Sequence, residues 1–453
     1  MKLYNRRTKR LICLWVEIFI VTIAEWFVWE PLGNVLIEIS PNLFPRLTLD
    51  HAVAVCRRIG LGCYILAGVQ IFALVVWWCC RHKLHKGIVY AVKHAWYCGR
   101  ITRALVQAGA GYVVNEENRY VIPPAVYLTF SDEAMTHGVV TIRNHMKYHA
   151  KLETVNISSA LGRYRVSQAY LSDDENFWVY DFEDSQIDQR LVFNSYKQFV
   201  DYAKSVGDYK IMTNARYTLP LASTLLTGTT GSGKTYAAYS VIMEMLNWSV
   251  KPVLHFCDPK NSSLYVMGRH IAPERSAGTV EGIIALLEEF YNSMQERKVE
   301  LQPLLEQRLD STYKDWLLPA NVFILDEAAV FVSCINSLDK ATREKVWKML
   351  RSITLEGRQL GFVLFLLTQK ADSNDIPTQI RDNLVFKCCL GNVPQTTLIT
   401  TFEKAADLPQ RNFAPGEGLF SYQGVTREPQ MISFPTLNFD ILKAVKENLS
   451  PRL

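Results

Sequence analysis

Two apolar runs open the chain. Residues 11–29 read LICLWVEIFIVTIAEWFVW, and residues 59–80 read IGLGCYILAGVQIFALVVWWCC. At about 1.5 Å rise per residue each covers roughly 30 Å, enough to cross a hydrocarbon core. The second run carries no charge and ends in Trp77 and Trp78, which suit a membrane interface. The first contains Glu17 and Glu25. A secretory leader would need a charge-free core and small residues at a cleavage site; here EWFVWEP follows instead. A spanning helix is the better reading. Its two acids, about 80° apart around the helix, would face a partner helix or a wet cavity.

The pattern then changes twice. Residues 87–110 look helical and amphipathic, and from Gly111 to about Asp208 short alternating runs such as YVIPPAVYLTF predict a small α+β unit. From about Tyr209, nearly continuous apolar strands alternate with helices. The strands are STLLTG, PVLHFCD (252–258), NVFILDE (321–327), GFVLFLLTQ (361–369) and LVFKCCLG (384–391), with helices over 282–309 and 339–352 among the segments between them. Strands apolar on both faces imply an α/β unit built on a parallel sheet covered on both sides. The expected organisation is a membrane anchor at 1–86, an α+β domain at 87–208, an α/β motor at 209–440 and a short tail at 441–453.

Charge sets the orientation of the anchor. The opening MKLYNRRTKR has five basic residues and no acid, and Arg81, Lys83 and Lys86 follow the second run. The intervening loop carries a weaker set: Arg46, Arg57 and Arg58. Both termini and the motor are therefore expected in the cytoplasm of a two-pass membrane protein. The net charge of +5 is too modest to argue for nucleic acid, because anionic lipid can take up the basic flanks. Ten cysteines show no metal-ligand spacing; Cys79–Cys80 and Cys388–Cys389 are adjacent pairs rather than CxxC motifs.

The chemistry lies at three strand ends. Gly228, Thr229, Thr230, Gly231, Ser232, Gly233, Lys234 and Thr235 form GTTGSGKT directly after an apolar strand. This pattern cradles the phosphates of ATP in backbone N–H groups, with Lys234 neutralising charge and Thr235 holding Mg2+. Background composition would give roughly 0.02 such matches by chance in this length. NVFILDE places Asp326 as a second Mg2+ ligand and Glu327 as the base that polarises water. Gln369, closing GFVLFLLTQ, would sense the γ-phosphate or orient that water. This set points to ATP hydrolysis. A GTPase would carry an Asn-Lys-x-Asp base reader, and the sequence has none.

Together these motifs resemble the FtsK/SpoIIIE-type DNA translocase family over about residues 205–435. The resemblance extends to Asp258-Pro259-Lys260, to Met294 and Arg297 on a helix, to Ile376-Pro377-Thr378-Gln379-Ile380, and to Pro415-Gly416-Glu417-Gly418. It implies a RecA-like motor that assembles as a homo-hexamer around DNA, with ATP between subunits and a neighbour's arginine reaching the γ-phosphate. Arg358 is the first candidate for that arginine and Arg381 the second. Lys370 stands where the family often has arginine. Basic residues between 298 and 314 could line a DNA channel or simply face solvent. Two spans, one motor and a short tail look like the coupling ATPases of Gram-positive conjugative elements, whose partners are a relaxase and a secretion channel. The resemblance also leaves open a chromosome-partitioning translocase or a protein-secretion ATPase of the same superfamily.

Overall fold

The structure, a computed structural model, describes residues 6–43, 50–115, 120–370, 376–403 and 412–449. The first five residues and Arg46, both used for orientation above, and residues 450–453 of the expected tail lie outside them. The chain divides into two compact units, Met1–Ile187 and Asp188–Leu453.

In the first unit, helices Arg6–Leu43 and Asp50–Arg81 pack against each other as a hairpin. Small residues set their approach: a Cβ added to Gly60 would lie 3.7 Å from the backbone nitrogen of Glu30, and one on Gly33 3.6 Å from Cys56 Cβ. Thr22, Cys56, Cys63 and Gln70 are buried between the helices. Trp15–Glu38 and His51–Arg81 are long and apolar enough to cross a membrane, by length and composition. Both stretches exceed the runs read above, because each helix continues through polar turns that sequence hydropathy discounts. Glu17 and Glu25 sit on the exposed surface of the hairpin, and Glu25 accepts a long contact from Cys63 Sγ at 3.6 Å.

Beyond the hairpin, helix Ile88–Gln107 buries Tyr90, His94, Tyr97, Ile101 and Leu105. It packs on an antiparallel sheet ordered Val126–Phe130, His137–Arg143, Phe177–Asp184, Tyr164–Leu171. Strand His137–Arg143 alternates buried and less buried positions, as a sheet with one covered face must.

The second unit is built on an eight-stranded sheet. Its order is Ser276–Ala277, Val253–Cys257, Asn321–Leu325, Phe362–Thr368, Thr224–Gly228, Phe386–Leu390, Glu417–Tyr422 and Gln430–Ser433. The first six strands are parallel and the last two antiparallel. All five strands read from the sequence are present. Alternate residues feed opposite cores: Val322, Ile324, Val363 and Phe365 pack on one face, Phe323, Leu325, Leu364 and Leu366 on the other. The two long helices run Val280–Gln307 and Lys340–Leu360, the second a full two turns longer than its sequence pattern suggested.

Residues 188–208 pack with this unit rather than with the α+β unit where they were expected. Val192–Phe193 pairs in parallel with Thr436–Leu437, and Phe199 of helix Tyr196–Val206 is fully buried in the core of this unit. Ala444 and Val445 of helix Ile441–Leu449 join the same core, so this part of the expected tail is integral to the second unit.

Helix Lys234–Leu246 carries a buried carboxylate. Glu244 is fully buried, and its two oxygens accept the Met212 N–H at 3.0 and 2.8 Å. Burial raises its pKa from the ordinary 4.5 to about 8, against the lowering effect of that hydrogen bond. The folded chain thus holds this proton more tightly than the unfolded chain. Folding takes up a proton between pH 4.5 and about 8, so the contribution to stability is greatest below 4.5 and is lost as pH rises through that window. The slope is at most about 1.4 kcal/mol per pH unit. Glu244→Gln keeps an acceptor for Met212 and should flatten the fall in Tm of the purified chain between pH 6 and 8. An unchanged pH profile in the variant would show that Glu244 is not the group responsible.

Candidate nucleotide site

Strand Thr224–Gly228 runs straight into the glycine loop and helix Lys234–Leu246. Gly231 and Gly233 take positive φ (81° and 91°), a region that glycine enters without steric cost. Gly233 has a second reason to be glycine: a Cβ there would lie 2.4 Å from the backbone nitrogen of Gly416. The loop is also held from outside, since Gly416 N–H donates to Ser232 O at 2.7 Å. Gly416 of PGEG therefore buttresses the phosphate loop, a role that spacing alone does not reveal.

Strand order brings the other two motifs to the same edge. Phe362–Thr368 lies between the phosphate-loop strand and the acidic strand Asn321–Leu325, so Gln369 emerges between the loop and Glu327. Gln369 Nε2 donates to Glu327 Oε1 at 3.2 Å, and Lys260 Nζ lies 3.0 Å from the same oxygen. Three separately read motifs thus meet on one carboxylate atom. Lys260 is placed by the turn that follows strand Val253–Cys257: the buried Asp258 carboxylate accepts from Lys260 N at 2.9 Å and Ser262 N at 2.5 Å. As a letter of the Asp-Pro-Lys motif Lys260 has no evident role, and contact with Glu327 supplies one. Ser262, missed entirely, donates to Asp326 Oδ2 at 3.5 Å.

Glu327 has φ 50° and ψ 49°, the left-handed region that side chains other than glycine rarely adopt. It precedes helix Ala328–Asn336, yet its carboxylate makes no capping bond and turns to Lys260 and Gln369 instead. Such backbone strain persists only where the surroundings impose it.

The electrostatics suit a triphosphate and a divalent cation. Burial pushes the Asp326 carboxyl up to about 6, with neighbouring Asp258 and Glu327 adding to the shift. Excess negative charge therefore crowds this corner, and a bound cation would relieve it. Burial pulls the Lys234 ammonium below its usual value while Glu327 and Asp326 oppose that pull; Lys234 donates to Gly228 O in the chain alone. Ser232 Oγ is buried without a hydrogen-bond partner, a polar atom left for a ligand to satisfy. The residues fit the group expected of them: Thr235 and Asp326 would hold Mg2+, which when bound would neutralise developing charge on the phosphates.

Arg358 is elsewhere. It is exposed on the last turn of helix Lys340–Leu360, just before strand Phe362–Thr368 begins, at the amino edge of the sheet. There it lines a cavity of about 710 Å³ with Lys298, Gln302, Thr312, Leu355 and Glu356. Arg381 is buried, with its Nε 3.6 Å from Glu403. Met294 is fully buried, and Arg297 donates to the carbonyls of Pro319 and Leu360 at 3.4 Å, so this motif braces the helix.

No family model matches the chain. A curated relative does: an FtsK domain-containing protein, YdcQ, of Bacillus subtilis (strain 168), 24% identical over 279 residues, covering 59% of this chain and 57% of that protein. The chain is FtsK-like. It spans little more than half the length of that curated relative. Among solved structures, the FtsK-like chain matches the pCW3 conjugation coupling protein TcpA in its monomer form with ATPγS, at TM-score 0.46 and 14% identity over 78% of this chain and 99% of that one. It also matches the cytoplasmic domain of the type VII secretion ATPase EccC of Thermomonospora curvata, at TM-score 0.38 and 16% identity over 50% of this chain and 28% of that one.

Proposed function

We propose that this chain is a membrane-anchored ATPase that moves DNA, acting as the coupling protein of conjugative transfer. The observation that carries the ATPase reading is the meeting of Lys260 and Gln369 on Glu327, on the same sheet edge as Lys234 and Asp326. In this reading the glycine loop and Lys234 grip the triphosphate, and Glu327 takes the proton of the attacking water while Gln369 orients it. Lys260 keeps the Glu327 carboxylate aimed. The FtsK-like motif set and the YdcQ relative support a translocase of that type. A ring of copies, most simply six, would let Arg358 of one copy reach the nucleotide of the next. The two apolar helices would anchor the motor on the cytoplasmic side, and a relaxase and a secretion channel would be the partners.

Full-length chain in detergent or lipid discs should hydrolyse ATP several-fold faster when DNA is added, and should elute as an oligomer. A monomer whose turnover ignores DNA would overturn the translocase reading; stimulation by a secreted polypeptide instead would favour the secretion alternative. A Lys234→Ala strain that loses transfer yet divides normally would separate conjugation from chromosome partitioning.

A further inference from the structure

Residues 81–107 contain six lysines and arginines (Arg81, Lys83, Lys86, Lys93, Arg100 and Arg103) and neither aspartate nor glutamate. Helix Ile88–Gln107 occupies most of this stretch. Its sheet-facing side is buried, but its opposite side exposes Ile88 (72%), Val89 (62%), Val92 (53%) and Trp96 (50%). Residues 88, 92 and 96 recur every fourth position and so form one stripe, with 89 beside them. Arg100 lies 4.5 Å over the Trp96 ring, at the margin of that stripe. A water-facing helix would have no use for four large apolar side chains in a row.

The position of this helix says what covers it. The candidate span ends at Arg81, and six residues, including the tight turn Leu84–Lys86, join it to Ile88. Six residues reach at most about 20 Å, and the contacts make the distance shorter still. His82 Nδ1 lies 3.0 Å from His94 Nδ1, in the middle of the helix, and Lys83 Nζ donates to Thr129 Oγ1 on the sheet at 3.1 Å. His94 Nε2 lies 3.1 Å from Leu128 O, which can only accept. Nε2 therefore carries the proton, and His94 Nδ1 accepts from His82 Nδ1–H. Burial holds His94 neutral, with its pKa lowered to about 4, so this clasp persists at neutral pH. The turn that leaves the span is thus clasped to the buried side of the helix at His94 and to the sheet at Thr129, within a few residues of Trp77 and Trp78.

We propose that helix Ile88–Gln107 lies on the membrane surface, with Ile88, Val89, Val92 and Trp96 seated at the headgroup–acyl boundary of an anionic leaflet. This rests on the reading that the two N-terminal helices span the membrane. Lys86, Lys93, Arg100 and Arg103 supply the cationic flank that binds acidic headgroups, and the absence of any acid removes the repulsion that would oppose it. A basic helix that is apolar on one side and begins at the exit of a span has the composition of an interfacial element.

The test uses the full-length chain in vesicles containing phosphatidylglycerol and a lipid with a diazirine on its acyl chain. After photolysis, peptide mass spectrometry locates the label. Label is expected at Ile88, Val89, Val92 and Trp96 and within 59–80, and absent from Tyr90 and Ile101. Label within 59–80 but none at 88–96, as for a face covered by protein, overturns the proposal and leaves the spanning reading intact. No label in either place sinks the spanning reading and this one with it. In phosphatidylcholine alone, label at 88–96 should drop several-fold while label at 59–80 stays; equal label in both lipids would refute the anionic preference. Val92→Asp with Trp96→Asp, both on the exposed side, should remove label from the helix and spare the span.

Discussion

Lys234→Ala should lower ATP turnover by a factor of at least about 100, measured as phosphate release from the full-length chain. A positioned cation or donor aimed at developing oxyanion charge in a water-poor site is worth about 10²–10³ in kcat. Here the ammonium is desolvated and flanked by Glu327 and Asp326, so its charge is little screened. Removing it also leaves those carboxylates facing the phosphates without compensation, and nucleotide affinity should fall as well. Thermal stability should change little, because the desolvation of the Lys234 ammonium outweighs its attraction to Glu327 and Asp326, and its hydrogen bond in the free chain goes to the carbonyl of Gly228. Turnover within about threefold of the parent would mean that this loop is not where hydrolysis occurs.

Glu327→Gln should separate binding from chemistry. The glutamine keeps an oxygen for Lys260 and Gln369 but cannot take a proton, so kcat should drop about 10²–10⁴-fold while nucleotide affinity holds. The split between kcat and affinity is the readout. Equal loss of both would make Glu327 a structural prop for the loop. Glu327→Gly should be as inactive yet at least as stable as the parent, because glycine accepts φ 50° without strain. That pairing of lost activity with retained stability would show that the left-handed backbone is maintained for chemistry.

Much of the second unit is legible because its strands are covered on both faces, which turns Val322–Leu325 and Val363–Leu367 into unbroken apolar words. The phosphate loop, Asp326, Glu327 and Gln369 were legible for a related reason: each stands where such a word ends. The antiparallel pair Glu417–Tyr422 and Gln430–Ser433 was not, because polar Ser421 and Gln430 interrupt the pattern at the sheet's far side. Val192–Phe193 was placed in the wrong unit because its partner, Thr436–Leu437, lies some 240 residues downstream and a two-residue strand has no periodicity to read. Lys260 was visible as a motif letter but not as the partner of Glu327, since that contact crosses from one strand end to the next. The clasp of His82 and His94 was equally hidden: it joins a turn to a helix through one shared proton.

The parallel pairing of Val192–Phe193 with Thr436–Leu437 closes the second unit into a loop whose entrance and exit are stitched side by side. Any tug on the segment leading in is shared at once by the strand leading out, and so reaches the helix that follows it. Trimming the carboxyl end back to Phe434 would therefore unpick the doorway as well as shorten the chain, and a deletion meant to probe a dispensable appendage would open the core of the unit.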